Sequence, residues 1–171
     1  LLILRITQKQ NPKIKNQSSK IKAQFKIMTG FIHASIGAAI GRFVRNKPLA
    51  FGAGVLSHLV GDLIPHHDLG VSEAPLLAGT MARIIQQHGW NSPEFFGALG
   101  AVCPDFEHIP TELMKHPRRF EPMPEKKFPT HNGQLPHAGW PHDERWGLAM
   151  NAVVFLSALY IGGVLGGPKK K

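Results

Sequence analysis

The stretch richest in chemical potential is Ser57-His58-Leu59-Val60-Gly61-Asp62-Leu63-Ile64-Pro65-His66-His67-Asp68. His58 and Asp62 are four residues apart, so on a helix they project from one face and can grip a single ion. An imidazole nitrogen beside a carboxylate oxygen suits a divalent metal, zinc first, with manganese or iron as alternatives. Pro65 stops the helix just beyond, leaving carbonyls whose partial negative charge also favours a cation. His66, His67 and Asp68 leave that same end and are expected to complete the shell or orient its ligands. Asp62 is also hard to explain as packing. It stands among Val55, Leu56, Leu59, Val60, Leu63 and Ile64, and an unpaired buried carboxylate is costly. The competing explanation is a buried His–Asp hydrogen bond that only locks two helices.

Two further constellations share this character. Pro104-Asp105-Phe106-Glu107-His108 repeats the design of a helix end, a proline, acids and a histidine, although Asp beside Pro is also ordinary turn chemistry. Thr130-His131-Asn132-Gly133-Gln134-Leu135-Pro136-His137 lies in a proline-rich loop, where histidines are more often solvated than ligating. His33 sits near the start of an apolar helix, where core hydrogen bonding is the simpler alternative. His88, His116 and His142 look like ordinary end-of-element or loop residues. Cys103 lies in an apolar run before a proline and looks structural. No phosphate-cradling loop, nucleophile elbow or dinucleotide fingerprint is present.

The elements that must position these residues read as helices punctuated by proline and glycine. The spacing predicts helices over Phe31 to about Asn46, Leu49 to Ile64, Pro75 to His88, and Glu94 to Cys103. Gly37 and Gly41 in the first stand at a spacing that lets another backbone approach closely. A short turn is expected over Thr111 to His116. Residues 117–141 hold six prolines and no periodicity. From Leu148 to Gly167 the chain runs twenty residues without a charge, long enough to cross a bilayer as a helix. Lys169 to Lys171 would hold that end in the cytoplasm. The fold expected is all-α: a compact bundle of about five helices whose C-terminal member is transmembrane. The divisions are a metal-site core over 28–116, a Pro/His-rich loop over 117–146, and an apolar helix with a Lys tail over 147–171.

Length and charge limit the alternatives. At 171 residues the chain suffices for one domain with a real core. Its ten histidines are many for that length, and its single cysteine excludes an internal disulfide. The net charge of +9 suggests nucleic acid only until it is placed. Residues 1–27 carry seven basic side chains and no acid, leaving 13 basic against 11 acidic residues elsewhere. That segment is expected to be a disordered basic tail or an upstream extension of the reading frame, and no nucleic-acid partner is expected.

Four segments, FIHASIGAAIG (31–41), LSHLVGDLIPHHD (56–68), GALGAVCPDFEH (97–108) and THNGQLPH (130–137), together resemble the predicted membrane-bound metal-dependent hydrolases. That family of small inner-membrane proteins carries an early helical histidine, a G-x-x-x-P-D-x-D-H segment, an H-R-G-x-T-H-S segment and an S-H-x-x-x-D helix. The last element is also similar to a metal-binding helix of the zinc-dependent phospholipase C and P1 nuclease fold. Here the S-H-x-x-x-D helix precedes the P-D segment, Glu107 replaces the second Asp, and Asn132, Pro136 and Ala138 replace the Arg, Thr and Ser of the loop. Position by position, the resemblance assigns metal ligation to His33, His58, Asp62, Asp105, His108, His131 and His137. It implies a membrane-associated, divalent-metal-dependent hydrolase of phosphoesters, lipid-derived in that setting, with Glu107 or Asp68 as general base. Membrane lipid is the expected partner. The alternative is a non-catalytic helical membrane protein whose His/Asp cluster binds metal structurally or for transport.

Overall fold

A computed structural model describes residues 30–64, 73–107, 125–135 and 144–166. Five α-helices and one short 3-10 helix make up the regular structure, with no strand among the described residues, so the expected all-α class holds. The helices are α1 (Gly30–Val44), α2 (Lys47–Leu63), α3 (Glu73–His88), α4 (Pro93–Val102) and α5 (Glu144–Ile161), with the 3-10 helix over Cys103–Glu107. The expected turn at 111–116 falls outside the described residues, as do residues 1–29.

Local chemistry sets most boundaries. Arg45, at φ 56°, closes α1 by donating its N–H to the Gly41 carbonyl at 3.0 Å, a left-handed helix stop. Asn46 then caps α2 by accepting the Leu49 N–H at 3.0 Å, with Pro48 in the first turn, where its missing N–H is not needed. Ser92 caps α4 in the same way, accepting from Phe95 N at 3.1 Å. The third helix starts two residues earlier than its proline suggests. Glu73 is buried, and its Oε2 accepts the N–H of Gly30, so a tertiary contact extends α3 backward.

α1 is the central element, packing against α2, α3, α4 and α5. Its approach to α4 is made by backbone rather than by side chains. A methyl group at Gly37 would strike the Gly97 carbonyl, and one at Gly41 would strike that of Pro93. Gly54 and Gly100 allow the same intimacy between α2 and α4, Gly54 approaching the same Gly97 carbonyl as Gly37. The small-residue spacing in α1 thus meets small residues on its partner. Ala34, Ala38, Ile84, Ala98, Val102, Leu159 and Val164 form the core, with Leu77, Met81, Phe95 and Phe155 around it.

The expectation for the C-terminal segment is corrected. No described helix is long and apolar enough to cross a membrane. α5 begins at Glu144, among charges, and ends at Ile161. Gly163, at φ 70°, turns the chain, and Val164 N–H returns to the Leu159 carbonyl at 2.9 Å, a closing motif of helix ends. Only Leu148 to Ile161 of the uncharged run is helical, about 21 Å at 1.5 Å per residue against the ~30 Å of a bilayer core. One side of α5 packs on α1, Phe155 meeting Phe31 edge-on with centroids 4.8 Å apart. Its other side exposes Trp146, Val153, Leu156 and Tyr160.

Candidate metal centre

The N-terminal turn of α1, the C-terminal turns of α2, the 3-10 helix and the 125–135 segment converge at one end of the bundle. They bring His33, His58, Asp62, Asp105 and His131 together. His58 and Asp62 are fully buried, His33 is 3% exposed, and the Asp105 side chain, at 13%, is the most accessible of the five.

His58 is the hinge of the site. Its Nδ1 lies 2.6 Å from the Ala101 carbonyl. A carbonyl can only accept, so Nδ1 carries a proton, and in the neutral imidazole Nε2 presents a lone pair. That Nε2 stands 3.4 Å from His131 Nε2, 3.5 Å from Asp62 Oδ2 and 3.7 Å from Asp105 Oδ1. His131 Nε2 in turn is 3.7 Å from Asp62 Oδ2 and 3.9 Å from Asp105 Oδ1. These are five of the six edges of a tetrahedron. Donors ~2.1 Å from a tetrahedral ion stand ~3.4 Å apart, so His58 Nε2 and His131 Nε2 are spaced to share an ion with either carboxylate. The helical i,i+4 spacing supplies one edge, and tertiary packing supplies the others.

His33 joins from the opposite side. Its Nε2 is 3.7 Å from Asp62 Oδ1, and its ring lies on that of His58 with centroids 4.4 Å apart. His33, His58 and Asp62 form one candidate metal triad, and His58, Asp105 and His131 a second. Both draw on Nε2 of His58, which can serve one ion only. The two triads are therefore alternatives or parts of one larger shell around a single ion.

Several supporting groups carry no signal that sequence reasoning used. The Thr130 hydroxyl donates a short hydrogen bond to Asp62 Oδ2, fixing that carboxylate. Thr130 adjoins His131, so its segment was visible but its role was not. The Ala101 carbonyl has no side-chain signature at all. Gly61 is required by His33, because a methyl group there would collide with the imidazole ring. Glu107, expected as a general base, uses Oε2 to accept Lys127 N–H at 2.6 Å and Oε1 to accept Phe128 N–H at 2.9 Å. It thereby ties down the segment that delivers Thr130 and His131. Phe128 packs edge-on against the His58 ring at 5.3 Å, closing that side.

Of the remaining expected ligands, His66, His67, His108 and His137 lie outside the described residues, as does Asp68. His88, read as an ordinary helix-end residue, faces Glu94 at 3.4 Å, away from the cluster. No protein-family model, curated protein or solved structure matches the chain. Imidazole nitrogens and carboxylate oxygens so placed could hold a metal ion.

Proposed function

We propose that the chain is a membrane-associated hydrolase of phosphoesters that works through one divalent ion, zinc first, held by His58, Asp62, Asp105 and His131. The observation that carries the metal reading is the His58 imidazole, its proton committed to Ala101 and its lone pair aimed at three other donors within 3.7 Å. Imidazole lone pairs and carboxylates this close and this buried are stabilised by a positive charge among them, which a bound divalent ion supplies. A bound divalent ion supplies Lewis acidity and a water of lowered pKa. The chain supplies the rest. His58 and Asp62 form a dry floor, Thr130 and His33 orient Asp62, and Glu107 seats the segment bearing His131. Asp105, the most exposed of the donors, marks the side from which water and substrate enter. Phosphoester chemistry rests on the resemblance of the four motifs. Membrane association rests on the apolar faces exposed by α2 and α5.

One observation favours a second reading. Four protein donors close a tetrahedral shell, as in structural zinc sites, whereas hydrolysis needs an open or fifth position. Metal analysis and turnover separate the two. Purified protein is expected to hold close to one ion per chain, lost in His58→Ala. It is expected to cleave bis(p-nitrophenyl) phosphate in a manner abolished by chelator and restored by one ion. Stoichiometric metal without such activity assigns the ion a structural role. A metal content near zero, unchanged by His58→Ala, sinks both readings.

A further inference from the structure

α5 is apolar on both of its sides. The inner side packs on the bundle through Phe155, Ala158 and Leu159. The outer side carries Trp146, Val153 and Tyr160, which are 68%, 59% and 77% exposed. These three stand seven residues apart, so they line up along one stripe, each turned only ~20° from the last. Ala149, Met150, Leu156 and Ser157 fill the stripe between them, and all four are exposed. An ordinary surface helix turns charged and polar residues outward. α5 has no charged residue from Trp146 to Ile161, and it shows the outside an apolar seam about 21 Å long.

The seam is complementary to itself when reversed. Two copies laid antiparallel about Val153 bring Trp146 level with the partner's Tyr160, and Met150 level with the partner's Leu156. Ala149 comes level with the partner's Ser157, so each level holds two side chains of like size. That is the self-matching a two-fold contact requires. A parallel pair would set the two Arg145 side chains beside each other and align the helix dipoles. The antiparallel pair opposes the dipoles and separates the two Arg145 by about 24 Å along the axis.

The area is sufficient as well. Aromatic side chains of ~150–250 Å² each, exposed as Trp146 and Tyr160 are, give about 300 Å². Met150, Val153 and Leu156, about half exposed, add about as much. Two copies then bury about 1,200 Å², the lower end of the range for specific interfaces. A helix lying in a bilayer surface, by contrast, carries a strongly charged face, which α5 lacks.

We propose that a second copy of this chain covers the seam, the two α5 helices packing antiparallel about a two-fold axis at Val153. The dimer does not depend on the hydrolase reading, and it leaves the exposed face of α2 to meet the membrane.

Disulfide cross-linking of the full chain reads this geometry, with the parent, whose one thiol is Cys103, as baseline. Val153→Cys lies on the axis and is expected to link, because bridged Cα atoms stand within ~7 Å. Trp146→Cys and Tyr160→Cys alone are expected to stay unlinked, their copies being ~21 Å apart, while the variant carrying both links. In sedimentation velocity in density-matched detergent, the parent is expected to dimerise with Kd on the order of 1–10 μM. Val153→Arg, exposed in the single copy and at least as good a helix former, is expected to raise that Kd 100-fold or more with helical circular dichroism unchanged. If Val153→Arg loses helicity, the cysteine series decides. A parent that stays monomeric at about 100 μM overturns the proposal, as does a dimer that survives a folded Val153→Arg. Linkage of Trp146→Cys or Tyr160→Cys alone overturns the antiparallel arrangement. A monomer that floats with phosphatidylcholine vesicles, and no longer does so in Val153→Arg, gives the seam to lipid and also overturns it.

Discussion

Glu107 offers the sharpest test of how the metal centre is held, because its two possible roles predict opposite results. As a general base it acts on the reacting water and leaves ion affinity untouched. As a latch it acts through the 125–135 segment. Its carboxylate accepts the N–H groups of Lys127 and Phe128 at 2.6 and 2.9 Å, and that segment carries both His131 and the Thr130 that fixes Asp62. A hydrogen bond to a carboxylate contributes ~1.5–3 kcal/mol when buried, and about 1 kcal/mol each is a fair discount for this half-exposed position. Removing both in Glu107→Ala then costs about 2 kcal/mol of loop order, equivalent to roughly 30-fold in zinc affinity. Glu107→Gln retains one carbonyl acceptor and is expected to lose about fivefold. His131→Ala removes a donor outright and is expected to lose 100-fold or more. Zinc titration against a chelating indicator reads all three. A Glu107→Ala affinity within twofold of the parent, with turnover lost, refutes the latch and restores the general base.

Three further outcomes follow from the same geometry. Gly61→Ala should push the buried His33 ring off Asp62, and ~1–3 kcal/mol of overpacking outweighs the ~1 kcal/mol that Ala brings to a helix; a melting temperature no higher than the parent's, with zinc affinity reduced several-fold, is the expected pair of readings. Because His58 and His131 must both be unprotonated to bind an ion, zinc affinity should fall as pH drops through the histidine range, approaching about two log units per pH unit, and a slope near zero removes both imidazoles from the shell. Gly163→Ala forces a side chain into φ 70° and against the Arg42 guanidinium; a loss of ~1–2 kcal/mol, or roughly 3–8 °C in melting temperature, is expected in a thermal scan.

What the sequence made legible was local. The His58–Asp62 pair follows from helical periodicity alone, and the stops at Pro48 and Ser92-Pro93 follow from the chemistry of helix ends. Asp105 and His131 were recognisable as members of reactive-looking segments. Their meeting with His58 depends on α1, α2 and α4 packing against one another, which no spacing within one segment reveals. Glu107 illustrates the limit. Its residue type suits a base, and only its distance to two backbone amides shows that it holds a loop. The uncharged run from Leu148 fails as a span for a complementary reason. Hydropathy measures composition along the chain, whereas the helix length was set by a glycine turn at 162–163 and by charged residues at its start.

The glycine contacts around α4 have a consequence for mutational data. α4 has ten residues, too few for a stable helix by itself, and Gly97 and Gly100 press it backbone to backbone against α1 and α2. A side chain can rotate out of the way, but a main chain cannot, so α4 has almost no tolerance along those directions. Its last turn presents the Ala101 carbonyl to His58, and the chain leaving it presents Asp105. A single methyl group at Gly97 therefore moves one member of the proposed metal shell, Asp105, together with the carbonyl that orients another, His58. In a saturation screen scored by zinc retention, Gly37, Gly54, Gly97 and Gly100 should cluster with His58 and Asp62, although none of the four glycines has a side chain to offer an ion.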